Sequence, residues 1–252
     1  MRKIALLMAL CSAFFFTACN FTEELHIKED GTGKININFD GSQLMQMAGD
    51  KITKGEEKKM DSIISFKELL EEKKDSISKL SPEQQAKLKK LEKFTMHMVV
   101  DSEAKKMNFS MFSDFKTVNE LEDVFSSFQE ASSSALNNSK GGASPKSPPM
   151  AGNADGTEVN YSFKNNIFSR NTKIVDQELY NKSKDSLNLE QMKGFLGGSK
   201  YTLKYYFPRK IKKISREEAL FSQDGKSFTL EVDFLAILED PTILNVEVEL
   251  ED

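Results

Sequence analysis

Tryptophan is absent from this 252-residue chain, and histidine and cysteine occur only twice each, as His26, His97, Cys11 and Cys19. Two imidazoles cannot supply the three nitrogen ligands of a zinc enzyme, and no cysteine cluster replaces them, so no metal site is expected. An excess of positive charge is also missing: 35 Lys plus Arg face 39 Asp plus Glu, a net charge of -4. Nucleic-acid binders usually carry a strongly basic field, so no nucleic-acid partner is expected. Gly-x-Ser-x-Gly, His-Glu-x-x-His and Cys–His arrangements do not occur, which leaves nucleophile and metal chemistry without its parts. No cofactor is implied by any motif. Hydrophobic content is 38%, low for a globular protein but above the disordered range.

What is present first is an address. Arg2 and Lys3 precede an uncharged apolar run of 13 residues, Ile4 to Phe16. That is short of the roughly 20 residues a membrane-spanning helix needs, and it reads as a signal peptide. Phe16-Thr17-Ala18-Cys19 follows, with small residues at the two positions before a cysteine. It resembles the lipobox of bacterial lipoprotein signals, with Phe16 where Leu is usual. The resemblance implies removal of residues 1–18, a diacylglycerol on the Cys19 thiol, and acylation (palmitate) of the new amino terminus. The alternative is an ordinary signal peptide that leaves Cys19 as a stray thiol. Cleavage before Cys19 would discard Cys11, Arg2 and Lys3, taking the net charge from -4 to -6 and leaving no disulfide to support the fold. Asn20 stands where an Asp would retain an enterobacterial lipoprotein at the inner membrane, so the outer membrane is expected, on its periplasmic face. Glu23 and Glu24 match part of an acidic surface-export signal; the plainer expectation is that both face solvent on the first strand.

The remaining chain alternates between two periods. Leu25 and Ile27, then Ile35, Ile37 and Phe39, flank a Gly-containing turn and predict a hairpin. Met60, Ile63, Ile64, Phe66, Leu69, Leu70, Ile77 and Leu80 among Lys and Glu predict a half-buried helix. Ser81-Pro82-Glu83-Gln84 predicts a capping box that opens a second helix carrying Leu88 and Leu91. Phe94 to Val100 and Met107 to Met111 predict a second hairpin. Thr117-Val118-Asn119-Glu120 reads as another capping box before a helix bearing Leu121, Val124, Phe125 and Phe128.

Residues 132–156 are rich in Ser, Asn, Gly, Lys and Pro, with three of the six prolines, and read as a flexible linker or insertion. Beyond it, Val159, Tyr161 and Phe163 and then Phe168 to Val175 predict a hairpin turning at Asn165-Asn166. Asn188 caps an expected short helix through Leu196, stopped by Gly197-Gly198. Strict alternation over 201–207, 228–234 and 244–250 predicts strands with one wet face, hence antiparallel pairing. The fold class expected is α+β: one antiparallel sheet built from hairpins, backed by amphipathic helices, with residues 19–131 and 157–252 in one domain. The run Tyr205-Tyr206-Phe207-Pro208 through Lys210, Ile211, Lys212 and Ile214, then Ser222 to Lys226, then Asp240-Pro241, resembles uncharacterised bacterial lipoproteins. In overall layout the chain is similar to the LppM-type lipoprotein domain.

Several constellations invite chemistry. Gly225-Lys226-Ser227 matches the end of a phosphate loop, but Leu220 stands where that motif needs Gly, so a hairpin turn is expected. Asp30-Gly31-Thr32-Gly33 is read as a turn also. Arg209, Lys210, Lys212, Lys213 and Arg216 place five cations within eight residues. They could meet phospholipid headgroups or another anionic polymer, or form the charged edge of a sheet that opposes further pairing. Asp61-Ser62-Ile63, Asp75-Ser76-Ile77 and Asp185-Ser186-Leu187 resemble the Asp-Ser/Thr-aliphatic O-glycosylation signal of some Gram-negative envelopes, which implies Ser62, Ser76 and Ser186 as acceptors; helical surface composition is the plainer explanation. The chain has 11 Met and 19 Phe, with Met96, Met98, Met107, Phe109 and Met111 in one hairpin, either a core or an adaptable lipid pocket.

Three functions are compatible with this sequence. The first is a non-catalytic, lipid-anchored envelope protein that binds an unknown envelope protein or lipid, or supports an assembly. The second is a carrier or sensor of an apolar ligand. The third is an envelope hydrolase using a carboxylate pair, whose two acids need only meet in space.

Overall fold

The computed structural model describes residues 20–48, 59–121, 156–186, 193 and 196–252. Strands β1 (Asn20–Ile27) and β2 (Gly33–Asp40) form the first hairpin. Gly31, at φ 79°, supplies the left-handed residue of its turn, and Asp30 Oδ1 accepts from the Thr32 backbone N–H at 3.0 Å. Helix α1 (Ser42–Ala48) follows.

Strand β3 (Lys59–Ser65) corrects the helix expected from Met60 onward. Its Met60, Ser62 and Ile64 pair in register with Val100, Met98 and Met96, and the β-branched Ile63-Ile64 suits a strand. Helical period begins only where Ser65 accepts from the Glu68 N–H and starts α2 (Phe66–Glu72), followed by α3 (Lys74–Ile77). The Ser81 capping box opens α4 (Pro82–Lys90) as expected, with Gln84 N–H to Ser81 Oγ at 3.3 Å and Ser81 N–H to Gln84 Oε1 at 3.1 Å. Ser81→Ala removes half of that exchange and is expected to cost about 1 kcal/mol, read as a lowered urea midpoint at unchanged slope.

The second hairpin forms between β4 (Thr95–Asp101) and β5 (Lys106–Phe115). The Thr117 side chain does not cap a helix; Val118–Glu120 is a 3-10 turn whose Glu120 carboxylate accepts from the Lys116 N–H at 3.2 Å. The expected helix beyond Leu121, and the insertion save Gly156, lie outside the described residues. Strands β6 (Thr157–Lys164) and β7 (Ile167–Ile174) make the third hairpin. Asn165 and Asn166 both take positive φ, 52° and 64°, which is the mirror-image two-residue turn that strand twist favours.

Helix α5 (Gln177–Ser186) comes next, and most of the helix expected after Asn188 lies outside the described residues. The C-terminal block comprises β8 (Lys200–Tyr206), β9 (Ile211–Ile214), β10 (Leu220–Phe221), β11 (Ser227–Asp233), α6 (Phe234–Glu239) and β12 (Val246–Leu250). Phe234 opens α6 instead of ending a strand, and Leu244 closes a 3-10 turn ahead of β12.

The fold is α+β, with two sheets where one was expected. One has eight strands, β10-β11-β8-β1-β2-β5-β4-β3; the other has four, β6-β7-β12-β9. Pairing among the described strands is antiparallel except between β1 and β8, which run side by side from Asn20↔Lys200 to His26↔Tyr206. The smaller sheet packs on the inner face of the larger. Phe168 meets Tyr205 edge-on at 5.4 Å and Phe207 at 5.5 Å, while Phe21 stacks on Phe39 at 4.6 Å and Phe234 at 4.5 Å. Phe66, Leu88 and Leu91 bring the helical hairpin onto the same core.

Candidate functional site

Glu23 sits at the middle of β1 and is buried, which overturns the expectation of a solvent-facing acid. Its position follows from strand parity: Phe21, Leu25 and Ile27 are buried and odd-numbered, and Glu23 is in phase with them. On β8, Leu203 lies opposite Glu23, so Tyr201 and Tyr205 flank it diagonally and both reach it. From the facing sheet, β6 contributes Tyr161 and β7 contributes Arg170.

Glu23 Oε1 accepts from Tyr161 Oη at 2.7 Å, from Tyr205 Oη, and from Arg170 Nε at 3.4 Å. Oε2 accepts from Tyr201 Oη at 2.9 Å and Arg170 Nη2 at 3.4 Å. Arg170 Nη1 donates onward to Thr172 Oγ1 at 3.1 Å and the Leu244 carbonyl at 3.4 Å, and its guanidinium lies over the Tyr161 ring. Burial alone would push the Glu23 carboxyl up. The Arg170 charge and the hydroxyls of Tyr205, Tyr161 and Tyr201 together outweigh it and hold the group below its ordinary value. Burial first, and then the Glu23 charge, push Tyr201 and Tyr205 well above theirs.

This constellation contains an acid, a guanidinium and three hydroxyls, yet the three hydroxyls and the guanidinium all donate to the one carboxylate. A carboxylate that accepts five hydrogen bonds in a sealed interior has no lone pair free for proton transfer, and no second carboxylate lies beside it among the described residues. What it does is lock one sheet to the other in a single register, since hydroxyls and guanidinium from both must converge on one carboxylate.

The residues singled out from sequence are dispersed. Cys19 lies outside the described residues, immediately before the first residue of β1. The five cations fall on and around β9, the outer strand of the smaller sheet. Arg209 donates to Asn166 Oδ1 at 2.8 Å and pairs with Glu29 at 3.2 Å; Lys212 pairs with Glu249 at 2.5 Å. Arg216 reaches the Ile243 carbonyl and pairs with Glu218 at 3.4 Å. Lys210 and Lys213 are exposed and make no ion pair among the described residues. Ser62 is half-buried on β3, Ser76 is exposed on α3, and Ser186 ends α5. The Gly225 segment is a turn, with Gly225 at φ 68° and Asp224 Oδ1 accepting from the Lys226 N–H at 3.0 Å. Met96, Met98, Met107 and Phe109 are half-buried and Met111 is fully buried.

No protein-family model and no curated protein matches the chain. Among solved structures, the NMR structure of the folded domain of the Mycobacterium tuberculosis LppM protein is similar, with 10% sequence identity and a TM-score of 0.38. The match covers 95% of this chain and 94% of that one. A similarity of this strength does not transfer an activity.

Proposed function

We propose that the protein is a lipid-anchored component of the cell envelope, acylated at Cys19 and held at the periplasmic face of the outer membrane. There it acts as a non-catalytic binding or structural module toward another envelope component. The observation that carries this reading is the Phe16-Thr17-Ala18-Cys19 sequence ending one residue before a central strand of the larger sheet. An acyl group on Cys19 fixes the Asn20 end of that sheet at the bilayer with no intervening tether. The opposite end of β1, where Arg209 meets Glu29, then stands roughly 25 Å from the leaflet at about 3.3 Å per residue. The saturated Glu23 cluster supports a role without catalysis.

Intact mass and membrane fractionation of the wild type beside Cys19→Ser test the reading. The wild type is expected to carry acyl mass and sediment with membranes, and the variant to be released to the soluble fraction, because two or three acyl chains give stable anchoring at about 0.8 kcal/mol per buried CH₂. If both proteins are soluble and unacylated, the anchor reading fails.

The half-buried Met96, Met98, Met107 and Phe109 favour one second reading, carriage of an apolar ligand. Saturable binding of a fluorescent fatty acid, lost in Met98→Asp, selects it over the first.

A further inference from the structure

The outward face of the eight-stranded sheet presents a band unlike the rest of this charge-rich surface. Register places Thr202, Thr22, Asn38 and Ser110 in one row across β8, β1, β2 and β5, with Thr202 at its buried end. Asn36 and Phe112 oppose each other one step along, and Asn108 faces Asp40 one step the other way. Asn is disfavoured in strands, where Thr or a charged residue would serve a merely wetted face better, yet three Asn occupy adjacent outward positions on β2 and β5. Their amides are held in place: Asn38 Nδ2 donates to Asn108 Oδ1 at 3.2 Å and to Ser110 Oγ at 3.0 Å. Asn36 Oδ1 has neither a protein partner nor access to water. An aromatic ring, Phe112, stands half-exposed among these polar groups, and toward one edge Tyr206 stacks parallel on His26 at 4.2 Å.

Charge decides what such a band can hold. The polar groups around it come largely as pairs: Lys200 with Asp233 at 2.6 Å and Lys34 with Asp114 at 3.8 Å as ion pairs, and His26 with Glu24 at 2.6 Å and His97 with Asp61 at 2.7 Å as hydrogen bonds. The remaining ionised groups on this face, Lys106 and Lys204 against Asp40 and Glu231, balance, so no net positive field is left for a polyanion. We infer that this face binds an uncharged glycan strand of the cell envelope through the band formed by Thr22, Asn38, Asn108 and Ser110, with Phe112 as its apolar platform. A sugar ring offers hydroxyls and acetamido groups at its edge and C–H bonds on its face. Fixed amides and hydroxyls match the edge, a ring such as Phe112 matches the face, and groups already ordered lose little entropy on binding. Strands about 4.8 Å apart repeat the polar groups along the row, so a polymer can meet several at once.

This inference rests on the envelope reading for the source of its ligand, but its test does not depend on acylation. Full-length protein purified in detergent is co-sedimented with isolated peptidoglycan sacculi, with soluble N-acetylglucosamine oligomers or stem peptides as competitors. The wild type is expected to pellet with sacculi and to be displaced by the oligomers. Asn38→Lys is expected to lower retention at least tenfold with an unchanged melting transition, while Lys213→Glu on the other sheet retains wild-type binding. Ser110→Lys carries the same expectation should Asn38→Lys fail to fold. Absence of wild-type sedimentation, displacement by stem peptides alone, or full retention of a folded lysine variant overturns the inference. Failure of the anchor is read separately, in the fractionation of Cys19→Ser.

Discussion

Arg170→Met is expected to lower the stability of the folded protein by about 3–5 kcal/mol, because it leaves the Glu23 carboxylate buried without its counter-charge. The three tyrosine hydroxyls remain as donors, but they cannot replace a guanidinium that contacts both carboxylate oxygens. Glu23→Leu alone is expected to cost a similar amount, since Arg170 is then the unpaired ion. Combining the two removes both charges and is expected to recover much of the loss, as apolar replacements of whole buried pairs often do. Urea unfolding of the four proteins measures the coupling directly. Single variants within 1 kcal/mol of the wild type would mean that the sheets are held together without this lock.

The second large effect is on pH dependence, and both limbs arise from the same cluster. Glu23 is held below its ordinary 4.5, so its stabilisation is present above that pH and is lost as pH falls through the depressed folded value. Tyr201 and Tyr205 are held well above their ordinary 10.0. Above that pH the unfolded chain releases phenolic protons that the folded protein retains, so stability falls as pH rises. Urea midpoints from acid to alkaline pH are expected to drop at both ends in the wild type. The acid drop should be shallower in the Glu23→Leu, Arg170→Met double variant, which no longer has a depressed carboxyl at this position. Identical acid limbs would sink the assignment.

Much of this architecture is legible in the sequence because it depends on short-range pattern. The hairpins at Gly31 and at Asn165-Asn166, the Ser81 capping box and the alternation over 201–207 are each settled by fewer than ten neighbouring residues. What is not legible is how the hairpins share strands. Nothing local in 20–27 or 200–206 says that these segments lie parallel, or that β6, β7, β12 and β9 close a separate sheet, because those choices are made by packing between distant segments. Met60 to Ser65 fails for a different reason: its apolar spacing fits either period, and only pairing with β4 decides between them.

Glu23 is the instructive case among the sites. Its phase with Phe21, Leu25 and Ile27 announces an inward acid, and Arg170 shares phase with Phe168 and Thr172 in the same manner. Polarity argued the other way, because carboxylates are almost never fully buried unless paired. Parity along a strand is a geometric constraint, whereas exposure of acids is a tendency, and here the constraint prevails. The asparagines of the polar band are visible in sequence as Asn36, Asn38 and Asn108, but the row that carries Asn38 across four strands with Thr202, Thr22 and Ser110 depends on register and so needs the fold.

The parallel contact between β1 and β8 bears on the order in which the larger sheet can be completed. β1 is a central strand of that sheet, and its second neighbour is made from residues some 180 positions later. Until that late segment arrives, Glu23 lacks Tyr201 and Tyr205, and one edge of β1 lacks a strand. The sheet therefore cannot be closed stepwise from its first strand: the contact that completes β1 spans most of the chain, and such non-local pairing is intrinsically slow to form.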